Sequence, residues 1–274
     1  MKIRSSVRVG LFASVAFHLF TAPAAAFSVT PGVAFTQSNS AAHSMTSGSF
    51  SAGANSAIIA QGNVNGLNNA SDTLSVTDNT GGAIAWGSPI QCATPGATTK
   101  ITFAVVGYTS AGFTSKTVTI ADTAVAGTFW SSGGGLGIST VTGTPSSSIE
   151  DAAARACDGS TTATTAPNLN SGTPTAAGEL LFAIYDGQRS SSGASFTEDT
   201  ANGWANLFGP FGGASQALSG SYVVDSGSSP VAHNPVVTSA PYAHQIIGIC
   251  PSGGCTARPV GQICTIGAIG AGVC

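Results

Sequence analysis

The chain has 274 residues, of which 42% are hydrophobic and only 7% charged, and its formal net charge is −3. An ordinary globular domain carries about 25% charged residues, so Ser, Thr, Asn, Gln and Gly must cover this surface, and the basic footprint of a nucleic-acid binder is absent. The apolar content is high enough for a real core, which excludes a disordered chain.

Residues 1–26 fall into three zones: a basic start at Lys2, Arg4 and Arg8, an apolar run from Val9 to Phe20, and small residues Ala24, Ala25 and Ala26. This is the order of a secretory signal peptide, and the apolar run is shorter than the roughly 20 residues that span a bilayer. The sequence therefore predicts cleavage after Ala26, a secreted, cell-surface or periplasmic protein starting at Phe27, and no membrane span after cleavage. Removing that segment leaves five basic residues against eleven acidic, a formal charge of −6.

From Phe27 onward, short apolar runs alternate with Gly, Ser, Asn and Pro, the punctuation of strands and turns. Strands are expected within Val33 to Thr36, Ser44 to Phe50, Ala57 to Asn63, Thr73 to Thr77, Ala83 to Trp86, Lys100 to Tyr108, Ser115 to Ile120, Thr128 to Trp130 and Ile138 to Val141. A second set is expected at Glu179 to Tyr185, Ala194 to Glu198, Gln216 to Val224, Pro235 to Ser239 and Tyr242 to Ile249. Lys116 to Ile120 alternates polar and apolar residues, as a strand with one wet face does. Ile101 to Val106 and Leu180 to Tyr185 are continuously apolar, as strands covered on both faces are.

Between the two sets, Ser147 and Glu150 have the spacing of a capping box. With Asp151 and Arg155 four residues apart, they predict one short helix through Ala156, followed by a connection over Asp158 to Ala177. The fold class expected is all-β, an antiparallel sandwich over residues 27–249, with a cysteine-rich tail over 250–274.

Cys92, Cys157, Cys250, Cys255, Cys264 and Cys274 all follow the signal segment. An even number in an exported chain reads as a disulfide framework. The expected pairing is Cys92 with Cys157, and the last four among themselves. The wide spacing of those four does not suit the close pairs of a structural zinc site.

An internal echo divides the chain. Ser75-Val76-Thr77-Asp78-Asn79-Thr80 returns 120 residues later as Ser195-Phe196-Thr197-Glu198-Asp199-Thr200. Each copy follows an apolar strand (Ala57 to Ala60, Leu180 to Ala183) and precedes a tryptophan (Trp86, Trp204). Two similar halves of one sandwich are expected, with each acidic segment at a hairpin and the tryptophan returning on the partner strand.

Ser75 to Asp78 with Gly81, Gly82 and Trp86, then Pro174 to Leu181 and Gly203-Trp204, resemble the concanavalin-like, jelly-roll sandwich domains of bacterial exported proteins and phage fibre or tail-associated proteins. The resemblance implies a jelly roll and a role in adhesion or glycan binding, and it transfers no catalytic residue.

Catalysis finds little support in the sequence. Glu150, Glu179 and Glu198 lack a partner acid two residues away, the arrangement that would suit a sandwich glycosidase. Gly213-Ala214-Ser215 begins a nucleophile elbow without its second glycine. His233, His244, Tyr222, Tyr242 and Arg189 could line a lyase cleft, although no spacing requires it. Asp72, Asp78, Asn79 and Asp199 do not form a calcium loop, so no metal and no cofactor is expected.

Glycan sites stack sugar faces on exposed rings and add hydrogen bonds from nearby polar side chains. The candidate ligand-binding residues are Trp130, Trp204 and Tyr185 with Asp186, Gln188 and Arg189, while Trp86 reads as core. The leading expectation is a non-catalytic exported protein that binds a glycan or other cell-surface polymer. The alternatives are a self-associating subunit of a surface layer, fibre or virion, for which Phe208 to Phe211 could supply an apolar contact unless, as the stronger reading has it, they form a turn with both rings tucked into the core, and a polysaccharide-degrading enzyme.

Overall fold

The computed structural model describes residues 27–38, 43–65, 73–79, 84–93, 100–122, 134–143, 149–176, 178–188, 195–213, 216–227 and 229–251. Residues 1–26, the strand expected at Thr128 to Trp130, and Cys255, Cys264 and Cys274 lie outside the described residues.

The β-branched and apolar runs form strands and pair antiparallel throughout. The first half contains β1 (Ser28–Ser38), β2 (Ser44–Thr46), β3 (Phe50–Ala52), β4 (Ser56–Asn65), β5 (Leu74–Asp78), β6 (Ala85–Trp86), β7 (Ile90–Ala93), β8 (Lys100–Thr109), β9 (Phe113–Lys116), β10 (Val118–Asp122) and β11 (Gly134–Thr142). The second contains β12 (Glu150–Thr164), β13 (Leu169–Asn170), β14 (Leu180–Gln188), β15 (Phe196–Thr197), β16 (Ala205–Gly213), β17 (Gln216–Val224), β18 (Ala232–His233), β19 (Val236–Val237) and β20 (Ala240–Ile249).

Each half builds one large sheet, and the two share a strand order. The first runs β1-β11-β4-β8-β6, with β7 also on β8, and the second runs β12-β20-β14-β17-β16. Small sheets repeat as well: β10 pairs β5 as β19 pairs β15, and β3 pairs β9 as β13 pairs β18. The register agrees in detail, since Phe50 faces Lys116 where Leu169 faces His233. The edge strands β1 and β12 are both bulged, between Thr30 and Ala34 in one and between Asp151 and Ala156 in the other.

The large sheets stack face to face as a sandwich, with β1 against β16, β8 against β20 and β7 against β12. Between them lie Ala57, Ile59, Val106 and Val141 from one sheet and Leu180, Phe182, Ile247 and Ile249 from the other. This alternation along β4 and β14 leaves Ile58 and Ala60, and likewise Leu181 and Ala183, on the outer faces. Those faces are not wet. Met45, Phe50, Leu74, Val118 and Ile120 of the small sheets cover the first, and Leu169 and Trp204 cover the second. Covering both faces explains why β8 and β14 are continuously apolar. Ring fit fixes the sheet separation: a Cβ on Gly137 or on Gly220 would come within 2.4 Å of the Phe208 ring, so only glycine fits beneath it.

Several expectations change. The segment from Glu150 is the long strand β12, which runs on to Thr164 and, with β13, occupies much of the tract expected as a connection over Asp158 to Ala177. A 3-10 turn at Thr200–Asn202 is the one helical element among the described residues. An isolated helix of two to three turns is marginal, whereas the edge of β20 offers a hydrogen-bond ladder and buried places for Ile149 and Ala154. Phe208 lies within β16 and not in a turn, and its ring is buried, as the stronger reading expects. The tryptophans do return after the acidic segments, but Trp86 enters the large sheet beside Gly107 of β8, not the small sheet that holds β5.

The expected Cys92–Cys157 disulfide is present and joins β7 to β12 across the sandwich. Cys250 is also disulfide-bonded. No helix among the described residues is long and apolar enough to cross a membrane.

Candidate functional site

Among the described residues the strands position several polar groupings, and one of them, Glu150 with Arg155, lines a pocket. Where β6, β7 and β8 of the first half meet β12 of the second, a pocket of about 400 Å³ forms at the rim of the sandwich. Ligand clefts commonly enclose about 300–1,000 Å³. Ile90, Val106 and Tyr108 line it from one half, and Ile149, Glu150 and Arg155 from the other.

The β12 bulge shapes the polar wall. Asp151 Oδ1 accepts from the Ala153 N–H at 2.9 Å, and its Oδ2 accepts from the Thr175 N–H at 2.9 Å. This fastens the bulged backbone and returns Arg155 towards Glu150. Arg155 Nε donates to Glu150 Oε1 at 2.6 Å, and Nη2 donates to Oε2 at 2.7 Å, a side-on bidentate pair. The Arg155 side chain is 45% exposed and that of Glu150 18%, so the pair presents donors and acceptors to solvent. Tyr108 is fixed by donating its hydroxyl to Asn55 Oδ1 at 2.9 Å.

Where β1 meets β16 on the other side of the sandwich, Leu207 and Phe208 are buried, with Gly32 and Gly137 close against them. The sandwich thus fills one seam with aromatic and aliphatic side chains, and lines the other with an ion pair and a tyrosine.

The other groupings are enclosed. Asp151 and Glu179 are 5% and 0% exposed, with Glu179 Oε1 accepting from the Ala176 N–H at 2.8 Å. Burial, opposed by that N–H and reinforced by the Asp151 carboxylate, pushes Glu179 up to about 7. Burial also raises Asp151, but the Thr175 and Ala153 N–H groups and a hydrogen bond with Glu179 outweigh it and hold it below its ordinary value.

A second chain runs from Ser221, whose hydroxyl donates to Glu198 Oε2. Glu198 Oε1 meets His233 Nε2 at 2.8 Å, and His233 Nδ1 meets His244 Nε2 at 2.7 Å. Ser221 contacts the acid and not an imidazole, so this is not the arrangement of a serine nucleophile and its base. Burial, and then the neighbouring His233, lower His244 well below the ordinary histidine value.

The third enclosed grouping is the buried ion pair of Lys116 Nζ with Asp78 Oδ1 at 3.0 Å. None of these three groupings lines the pocket. Among the described residues, no three His, Cys, Asp or Glu converge as a metal site.

The residues singled out from sequence separate widely. Trp204 is 2% exposed, and Tyr185 and Asp186 are fully buried. Trp204 donates its indole N–H to the Ala232 carbonyl at 2.7 Å and packs 4.4 Å from the His233 ring. Tyr185 stacks on Tyr242 at 6.1 Å. These rings are scaffold, because no sugar face can reach them. Gln188 ends strand β14 and does not open a loop. Trp130 and Arg189 lie outside the described residues.

Trp86, expected in the core, is partly buried against the outer cluster and also borders the pocket. Glu150, Arg155 and Tyr108 were missed as site residues. The capping-box pattern placed Glu150 and Arg155 on a helix, and Tyr108 read as the end of a buried strand. No protein-family model, curated protein or solved structure matches this chain.

Proposed function

We propose that this is an exported, non-catalytic β-sandwich protein that binds extracellular glycans, in adhesion at a cell or virion surface, through the pocket between its two halves. The observation that carries the reading is the composition of that pocket. Ile90, Val106, Tyr108 and Ile149 supply apolar wall, and the Glu150–Arg155 pair supplies hydrogen-bonding groups. A sugar has the complementary character, with an apolar ring face and a hydroxylated rim.

Three further features support it. The amino-terminal basic, apolar and small-residue zones fit export. The Cys92–Cys157 disulfide fits an oxidising compartment. Asp151, Glu179, Glu198, His233 and His244 lie outside the pocket lining, and their side chains hydrogen-bond within the fold.

The test is a broad glycan array with the oxidised full chain, and size-exclusion light scattering on the same sample. Selective retention that falls at least tenfold in Arg155→Ala and in Tyr108→Ala is expected. Concentration-dependent assembly without retention on any glycan would replace this reading with that of a structural subunit. Retention unchanged in both variants would move the site elsewhere.

A further inference from the structure

The ion pair in the pocket also decides which sugars fit it, an inference that rests on the glycan-binding reading above. We infer that the pocket selects uncharged, hydroxyl-rich sugars over uronates, and that Glu150 is the residue that enforces the choice.

An arginine fork is the usual partner for a carboxylate, because its N–H groups match the two oxygens bidentately. Here Arg155 already holds a carboxylate of its own chain that way, through Nε at 2.6 Å and Nη2 at 2.7 Å. Among the described residues that line the pocket, Glu150 and Arg155 are the only charged ones, so the wall they form is neutral overall. The guanidinium N–H groups not aimed at Glu150 remain to donate to sugar hydroxyls, and the Glu150 oxygens have lone pairs left to accept from them.

A uronate must either displace Glu150 from the fork or sit beside a second carboxylate. The first breaks a short bidentate pair, and the second places like charges a few ångströms apart. A neutral hexose meets neither obstacle. Glu150 sits at the start of β12, where its backbone pairs with Ile249, and the bulge that follows brings Arg155 back to it. The same backbone feature that forms the pocket wall thus occupies its arginine.

The test measures affinities of the oxidised full chain for neutral tetrasaccharides (glucan, mannan, xylan) and for uronate tetrasaccharides (polygalacturonate, alginate), in wild type, Glu150→Gln and Arg155→Ala. Wild type is expected to bind its best neutral ligand at least tenfold tighter than any uronate. Glu150→Gln frees the fork, so the preference should shrink to near unity or reverse, with uronate binding that weakens as salt rises. Arg155→Ala should lose both classes. Wild type binding uronates as tightly as neutral sugars, or a ratio unchanged in Glu150→Gln, would overturn the selectivity while leaving glycan binding in place. No binding of either class would overturn both.

Discussion

His233 occupies in the second half the position that Lys116 occupies in the first. Lys116 faces Phe50 across a two-strand ladder and holds Asp78 at 3.0 Å. His233 faces Leu169 across the corresponding ladder and holds Glu198 at 2.8 Å. Even the next hydrogen bond repeats: Thr117 N–H donates to Asn79 Oδ1 at 3.2 Å, and Asn234 N–H donates to Asp199 Oδ2 at 2.7 Å. A basic side chain on one strand and an acid at the end of another form a rivet beneath each outer layer.

Removing one side of a buried pair strands the other charge, at a cost of about 3–5 kcal/mol. Lys116→Ala is expected to lower the unfolding free energy by about 3 kcal/mol, read by urea titration. His233→Ala is expected to lower it as well, because it removes the hydrogen bonds to Glu198 at 2.8 Å and to His244 at 2.7 Å. A loss below about 1 kcal/mol for Lys116→Ala would make its pair with Asp78 behave as an exposed one.

Stability should depend on pH through Glu179. Its carboxyl ionises near 4.5 in the unfolded chain but at about 7 in the fold, first because it is buried. The folded state therefore binds the proton more tightly, and the stabilisation is complete below about pH 4.5 and is lost as pH rises through 7. His244, held neutral by burial, slopes the opposite way below its ordinary 6.5, so the comparison must be differential. Relative to Glu179→Gln, wild type should lose on the order of a few kcal/mol between pH 5 and 8. Parallel pH curves for the two proteins would show that Glu179 does not carry the dependence. Asp151, held low, should contribute a separate loss only in acid below about 3.8.

The Cys92–Cys157 disulfide spans 65 residues, and closing a loop of that size stabilises a fold by about 4 kcal/mol in the chain-entropy account. It also ties together the two strands that carry Ile90 and Arg155. A Cys92→Ser, Cys157→Ser double variant is expected to melt well below wild type and to bind glycan more weakly at a temperature where it is still folded. Unchanged affinity at that temperature would show that the pocket walls hold without the covalent tie.

Phe208 fills the closed seam above two glycines. Phe208→Ala should cost about 3–5 kcal/mol by leaving a cavity, and Gly137→Ala about 1–3 kcal/mol by overpacking against the same ring. Combining them should cost less than the sum, because the smaller side chain makes room for the new methyl. Strict additivity in calorimetry would contradict the close approach of Gly137 and Phe208.

Fold class was legible in residue order because the strand signal is local. The alternation of Lys116 to Ile120 and the apolar runs at Ile101 and Leu180 each carry their burial pattern within a few residues. The two-half architecture was legible for the same reason: repeating the Ser75 to Thr80 segment at Ser195 repeats its strand, its acid and its tryptophan. The disulfide followed from cysteine number and position.

What the tertiary structure alone decided depends on groups far apart in the chain. Glu150 to Ala156 has the local marks of a helix, and the neighbouring edge of β20 overrides them. Trp204 and Tyr185 look like sugar platforms until the outer layers close over them. The pocket joins Tyr108 to Arg155 only because the two halves stack with β7 and β8 against β12 and β20. No short-range pattern can encode that contact, since its free energy comes from burying two sheet faces against each other.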